Sequence, residues 1–369
     1  MQINYTPRYT ITPKIATGLM RIEASKERIL CAPLTAHLLH SLRETAQLYT
    51  THYSTMIEGN SLTVNQIKEV VRHKGHFPGR EHEEHEVKGY YVGLTHVERW
   101  AALDTPLTEK IIQTVHALVM ARGATKVKPT PYRSGQNVIR DSRTRSIGYM
   151  PPEAHDVPHL MKSMVEWINH HATELPCPLI AAIAHYQYAT IHPYYDGNGR
   201  TARLLTTFIL HKGGYDLKGI YSLEEYYARN LGAYYEALSI GDSHNYYEGR
   251  PQADITSWIE YFIEGMALSC ERIAQRMNET IHSNSADQSP LLRKLDPQQR
   301  KALELFKEAD VIKSSQIGEL FGYKPRTSAA LCAKWVSNGF LMIENPSNKG
   351  RTYRLADPYQ ELITSKKNF

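Results

Sequence analysis

This chain has few of the features that would point to covalent, membrane or repeat architecture. Its four cysteines, Cys31, Cys177, Cys270 and Cys332, lie far apart with no CxxC pair. That excludes a zinc ribbon or dithiol motif legible in sequence and favours a reducing compartment. No stretch approaches the ~18 consecutive apolar residues that cross a bilayer, so no membrane partner is expected. Met1 to Pro7 carries neither a basic n-region nor an apolar h-region, which argues against export and for a cytoplasmic location. Internal repeats are absent. Phenylalanine is scarce (7) while tyrosine is abundant (24). Compositional drift explains that imbalance most simply, although hydroxyl-bearing rings also suit wet interfaces.

What is present is ordinary globular composition with an uneven charge. Hydrophobic residues make up 41% and charged residues 22% of 369, and that length exceeds the ~250–300 residues a single core usually holds, so two or more domains are expected. Leu291 to Phe369 holds 14 Lys and Arg against 8 Asp and Glu, a net of +6 within a chain total of +5. The first 290 residues therefore carry −1, and the basic excess belongs to one end.

The pattern is mainly α. Apolar residues at helical spacing run from Ala32 to Thr50, Tyr53 to Asn60, Val64 to His73, Glu83 to Ala102 and Thr108 to Met120. Gly123 to Asp156 is punctuated by proline and glycine, and Val138–Arg140 and Ile147–Tyr149 flank a polar turn at Asp141–Ser146. Two short extended runs around a polar tip predict a β-hairpin laid over something, against the plainer reading of a connecting loop. Helical spacing resumes at Val157–His171, Pro178–Ile191, Gly199–His211, Leu223–Leu238 and Ile255–Met277, and Asn278–Pro290 reads as a polar linker. Then Pro297–Ala309, Lys313–Leu320 and Thr327–Asn338 read as three helices, followed by extended Phe340–Glu344 and Thr352–Ala356. Three short helices and a two-stranded ribbon form the plan of a winged helix-turn-helix domain.

The segment Ile191-His192-Pro193-Tyr194-Tyr195-Asp196-Gly197-Asn198-Gly199-Arg200-Thr201-Ala202-Arg203 concentrates the chemistry. A helix ends near Ile191 and another begins after Gly199. Two glycines free the backbone to turn tightly and present N–H groups at a helix N-terminus, which is an anion site suited to phosphate. Arg200 and Arg203, three apart, share a helix face and aim at one anion. Asp196 is a hard oxygen ligand suited to Mg²⁺ on phosphates. His192 titrates near neutrality and is the candidate general base. Together these predict phosphoryl- or nucleotidyl-transfer chemistry. Gly197 to Ala202 also fits GxGxxA, but that fingerprint needs a preceding strand where the pattern here is helical, and no Walker A lysine follows.

At these residues the chain resembles the Fic (filamentation induced by cAMP) family, whose signature is HPFx(D/E)GNGRxxR. Every specified position matches except the third, where Tyr194 replaces phenylalanine. Eight fixed residues give on the order of 10⁻⁸ chance matches in such a chain. The resemblance implies a helical Fic core that transfers AMP from ATP to a Ser, Thr or Tyr hydroxyl of a target protein. By position, His192 would deprotonate that hydroxyl and Asp196 would hold Mg²⁺. The N–H groups of Gly197, Asn198 and Gly199 would cradle phosphate oxygens, and Arg200 and Arg203 would bind the outer phosphates. The hairpin residues Val138, Ile139, Ile147 and Tyr149 would dock target backbone by strand addition. Asn230 and Tyr235 lie where relatives hold the nucleoside. Upstream, Ser54-Thr55-Met56-Ile57-Glu58-Gly59 resembles the family's inhibitory motif (S/T)xxxE(G/N). That match implies an autoinhibited enzyme in which Glu58 reaches Arg203, against the plainer reading of Gly59 as a helix stop and Glu58 as a surface charge.

The expected domains are 1–100, an N-terminal helical region with the inhibitory helix; 101–280, the Fic core; and 290–369, the winged helix. Removal of AMP at the same site, and a nucleotide-sensing DNA-binding regulator, stand as alternatives. Lys324, Arg326, Lys334, Lys349, Arg351 and Arg354 set DNA against an acidic protein as partner of the last domain. Relatives form dimers through helical faces, so a homodimer stays open. His82-Glu83-Glu84-His85 lacks the HExxH spacing and reads as a solvated helix face rather than a metal site.

Overall fold

Thr12 and Pro13 start the first helix. The Thr12 side chain accepts the Ile15 N–H and Pro13 opens α1 (Pro13–Cys31), a regular N-terminal signal. In this computed structural model, residues 5–32, 36–140, 147–241, 243–283, 294–307, 309–347 and 350–364 are described. The apolar pattern starts helices at Ala32 and so misses α1, whose buried stripe is Ile15, Gly18, Ile22, Ser25 and Ile29. Gly18 and Ser25 dilute that stripe, and Gly18 is required by packing, because a Cβ there would lie 2.5 Å from Ile263 Cγ2.

The other helices of the first unit fall close to expectation. α2 (Ala36–Ile57) is one helix where the pattern suggests two pieces. α3 (Val64–Lys68) continues as a π turn through His73. α4 (Glu81–Ala102) and α5 (Glu109–Met120, capped by Thr108) follow. The hairpin is present: β1 (Ile139–Arg140) pairs antiparallel with β2 (Ile147–Tyr149), Ile139 opposite Tyr149. Its expected tip, 141–146, lies outside the described residues. Then come α6 (Val157–His171), α7 (Cys177–Ile191) and α8 (Asn198–Lys212). The expected helix over 223–238 is two, α9 (Glu224–Arg229) and α10 (Leu231–Leu238), broken at Asn230, whose side chain caps α10. α11 (Thr256–Ser283) runs past the expected end at Met277, and 284–290 of the expected linker lie outside the described residues.

α7 is buried on nearly every face and packs against α6 and α8, while α4 packs against α2, α5 and α8. Trp258 of α11 donates its Nε1–H to the Ala182 carbonyl of α7 at 2.8 Å. α1 is tied to α11 by Arg21, which donates to Glu264 and Glu271 at 2.8 Å. Burial of α7 and α8 fixes the loop between them, and the end of α2 is brought against α8.

Contacts divide the chain into units 1–278 and 279–369. The second has its own core around Ile317, Cys332, Trp335, Phe340 and Leu355. Its order is α12 (Pro297–Ala302), β3 (Ile312–Lys313), α13 (Ser314–Phe321), α14 (Pro325–Ser337), β4 (Leu341–Asn345), β5 (Thr352–Leu355) and α15 (Asp357–Thr364). The sheet is antiparallel in the order β3-β5-β4. β3 and α15 were not expected, and Lys349 lies outside the described residues. No described helix is long and apolar enough to cross a membrane. All four cysteines are free thiols.

Candidate functional site

α7 ends because His192 takes a left-handed conformation (φ 50°, ψ 61°) and Pro193 follows. The His192 N–H still closes the helix on Tyr188 O at 3.0 Å, so the imidazole is aimed by a capped helix end. The ring also donates to the Ala189 carbonyl. Burial pushes its pKa down to about 4, with Arg133 pushing the same way and Glu58 and Asp196 opposing. The imidazole is thus neutral at pH 7 with one nitrogen left as a proton acceptor.

The loop from Tyr194 to Gly197 is braced from three sides. Asn198, the first residue of α8, accepts the Tyr194 N–H at 3.0 Å and donates back to the Tyr194 carbonyl at 2.8 Å. Tyr194 stacks on His116 of α5 with ring centroids 3.5 Å apart, and its hydroxyl donates to Thr130 O at 3.3 Å. The phenol that replaces phenylalanine therefore has its polar partner. His116 donates its Nε2–H to the Asp196 carbonyl at 2.9 Å. Burial holds His116 neutral, its pKa lowered to about 4, with Asp196 opposing. Arg133 is the third brace: it donates its backbone N–H to Pro193 O and its Nε–H to His192 O, both at 3.0 Å.

Gly197 has φ 72°, and a Cβ there would lie 2.8 Å from Met120 Sδ, so conformation and space both select glycine. Its N–H donates to Asp196 Oδ1 at 2.6 Å. The first-turn N–H groups of Asn198, Gly199 and Arg200 have no acceptor within the helix, which leaves α8 a positive N-terminus.

Both signature arginines are buried and both face carboxylates. Arg203 donates Nε–H to Ser54 Oγ at 2.7 Å, and its Nη2 reaches Ser54 O at 2.8 Å and Glu58 Oε1 at 2.7 Å. Ser54 lies in the last turn of α2 and Glu58 directly follows its end, four residues on, so the C-terminal end of one helix supplies both contacts. Burial, the largest influence on Arg203, would lower its pKa; Glu58, with Tyr234 and Tyr90 acting the same way, more than offsets it and keeps the guanidinium charged. The Glu58 carboxylate also lies against the first turn of α8, because a Cβ built on Gly199 would lie 2.3 Å from Glu58 Oε1. Arg200 pairs with Glu86 of α4 at 3.2 Å and with Asp196 at 3.3 Å.

Other expected positions gather less tightly. Tyr235 is half exposed and its hydroxyl donates to Ile57 O at 3.5 Å, next to Glu58. Asn230 spends its side-chain oxygen on the Ala233 N–H. In the hairpin, Ile147 is exposed, Val138, Ile139 and Tyr149 are half-buried, and Tyr149 donates to Thr190 O at 2.9 Å. In the His82–His85 stretch, His82 lies 3.6 Å from Glu86, Glu83 accepts from Arg80, and Glu84 takes His76 and Lys88. The GxGxxA reading fails because helix α7, not a strand, precedes the glycines. His116, Arg133 and Glu86 were not found in the sequence, since each acts from at least 59 residues away.

Residues 106–210 match the Fic/DOC family. Over 199 residues the chain is 27% identical to the protein adenylyltransferase Fic of Drosophila persimilis, covering 53% of this chain and 38% of that protein. It spans well under half the length of that relative. A Fic family protein from Desulfovibrio desulfuricans G20 shares the fold, with a TM-score of 0.64 at 24% identity over 96% of this chain and 99% of that one. A Fic domain containing signaling protein from Bacteroides thetaiotaomicron VPI-5482 aligns with a TM-score of 0.59 at 25% identity over 70% of this chain and 95% of that one. Signature, helical scaffold and these likenesses agree on one segment: residues 106–210 match the Fic/DOC family model and carry its signature loop.

Proposed function

We propose that this protein is an adenylyltransferase that moves AMP from ATP to a Ser, Thr or Tyr hydroxyl of a target protein, and of itself, and that Glu58 holds it in check. One observation carries the reading: the Glu58 carboxylate lies over Gly199 and on Arg203, the place where the α8 N-terminus and a buried arginine favour an anion. The adenylyltransferase name of the Drosophila persimilis relative supports ATP as co-substrate.

In this reading the neutral His192 takes the proton of the target hydroxyl as its oxygen attacks the α-phosphorus, and pyrophosphate departs with the bond electrons. The N–H groups of Asn198 and Gly199 and the α8 dipole stabilise the phosphate charge, and Arg203, once released by Glu58, meets the leaving group with Arg200 beside it. Tyr235 and Asn230 border the nucleoside, and the hairpin presents main chain to the target. Asp196 fits Mg²⁺: its carboxylate is exposed, Oδ1 is fixed by Gly197 and Arg200, and among the described residues nothing bonds Oδ2. Bound there, the ion would neutralise phosphate charge. The first unit then reads as an N-terminal helical region (1–100) set on a catalytic core (101–280).

The test is incubation with α-labelled ATP and Mg²⁺. Glu58→Gly incorporates label and Glu58→Gly/His192→Ala does not; label retained without His192 would refute the assignment of the base. A second direction is favoured by the proximity of Glu58 to His192, whose proton affinity it raises. In that direction Glu58 would hold a water for removal of AMP, and incubating an adenylylated target with and without Glu58 separates the two. The second unit reads as a winged helix, with Lys324, Arg326 and Lys334 exposed on or beside α14.

A further inference from the structure

Arg203 takes Glu58, just past the end of α2, and Arg200 takes Glu86 of α4. Glu86 is mostly buried. While its Oε1 pairs with Arg200, its Oε2 accepts Asn60 Nδ2–H at 2.9 Å. Asn60 follows Glu58 by two residues and is buried. Its Nδ2 also donates to Glu83 O at 3.0 Å, its Oδ1 accepts the Leu62 N–H at 3.1 Å, and its own N–H closes on Thr55 O at 3.1 Å. With Gly59 at φ 97°, that last bond is the closing bond of a Schellman turn. A single carboxylate thus touches both an arginine of the anion loop and the turn that orients Glu58.

We propose that Glu86 is a positioning residue that couples the two arginines. It neutralises Arg200 and, through Asn60, fixes the end of α2 so that Glu58 stays on Arg203. An incoming polyphosphate competes with Glu86 for Arg200, and Arg200 has a donor in reserve, since its buried Nε–H meets no acceptor among the described residues. Drawing Arg200 toward phosphate leaves Glu86 without its counter-charge, weakens its hold on Asn60 and loosens the grip of Glu58. ATP binding and relief of inhibition are therefore linked. This deepens the adenylyltransferase reading and rests on it.

The experiment compares the wild type, Glu86→Gln and Asn60→Ala, each with and without Glu58→Gly. It reads KM for ATP and kcat for self-labelling. Glu86→Gln is expected to lower KM for ATP about fivefold and to raise labelling at low ATP, with a gain at least three times larger when Glu58 is present. Asn60→Ala leaves the Arg200 pair intact and is expected to raise kcat only where Glu58 is present. A support role alone would lower labelling equally in both backgrounds, and that result, or equal gains in both, overturns the proposal. If Glu86→Gln does not fold by circular dichroism, Asn60→Ala decides, and no gain over wild type overturns it. If Glu58→Gly transfers no AMP, the adenylyltransferase reading fails. The coupling is then read separately as ATP affinity by calorimetry in a His192→Ala background, where equal shifts with and without Glu58 sink it.

Discussion

Replacing Glu58 by glycine should weaken the protein and strengthen its chemistry at once. The side chain is 30% exposed, and it gives Arg203 a charged partner at 2.7 Å while the guanidinium is 1% exposed. A hydrogen bond between charged groups is worth ~1.5–3 kcal/mol, and partial exposure favours the lower end. Removing Glu58 leaves Arg203 with uncharged partners such as Ser54, so stability should fall by about 1–2 kcal/mol, a Tm drop of a few degrees. In the proposed reading, the same contact is what the outer phosphates of ATP must displace. Its loss should raise transfer about 10- to 30-fold, the rate equivalent of ~1.4–2 kcal/mol. The glycine adds little strain, because position 58 follows the last helical residue, Ile57. Intact-mass spectrometry follows self-labelling, and calorimetric melting with and without ATP follows stability. The expected signature is a lower Tm without nucleotide, a larger ATP-induced rise, and a faster rate. An unchanged rate with intact ATP binding would refute the inhibitory role. An unchanged Tm would refute the energetic importance assigned to the pair.

Three further outcomes follow from the geometry. His116, His192 and His211 have pKa values pushed down to about 4 and His185 to about 3, burial being the leading cause in each. They gain protons more readily when unfolded, so the stability they permit is complete above ~6.5 and is lost as pH falls toward 4, on the order of 2 kcal/mol per group by pH 5. Urea unfolding at pH 7, 6 and 5 checks this, and equal stabilities would contradict it, while labelling should hold its plateau below pH 6. Tyr194→Phe keeps the stack on His116 but loses the bond to Thr130, so urea unfolding should show a loss of about 0.5–1.5 kcal/mol, and an unchanged midpoint would count against that bond. If the second unit contacts DNA through α14, gel-shift affinity of the full chain should fall steeply with salt and drop in Lys324→Ala/Arg326→Ala; absence of binding at any salt sinks that reading.

Much of the scaffold is legible in sequence where local signals agree with tertiary packing. Val157–His171 begins with proline in its first turn and carries an apolar face, so pattern and helix coincide. The hairpin shows because breakers isolate two short extended runs in a helical chain. α1 escapes because close approach to Ile263 demands glycine on its buried stripe, which weakens the apolar signal that packing creates. β3 escapes because two residues make no period. In the site, the signature named the loop, and only family resemblance linked Glu58 to Arg203. His116, Arg133 and Glu86 are different in kind. Arg133 and His116 bond backbone carbonyls, which leave no trace in residue identity, and Glu86 looks like any helix-surface acid until α8 is packed against α4.

α2 does not lie on the surface as a detachable pseudosubstrate would. Ile57 belongs to the main core, and Thr51, Ser54 and Thr55 are buried. Lifting the helix away would expose that core, whereas turning one partly exposed carboxylate requires only rotation about side-chain bonds. Such rotations are complete within nanoseconds to microseconds, far faster than turnover. If Glu58 restrains the site as proposed, it acts as a rheostat rather than a latch: every molecule would sample the open rotamer many times per catalytic cycle. The protein should therefore leak at a low, steady rate set by how often that rotamer and ATP coincide.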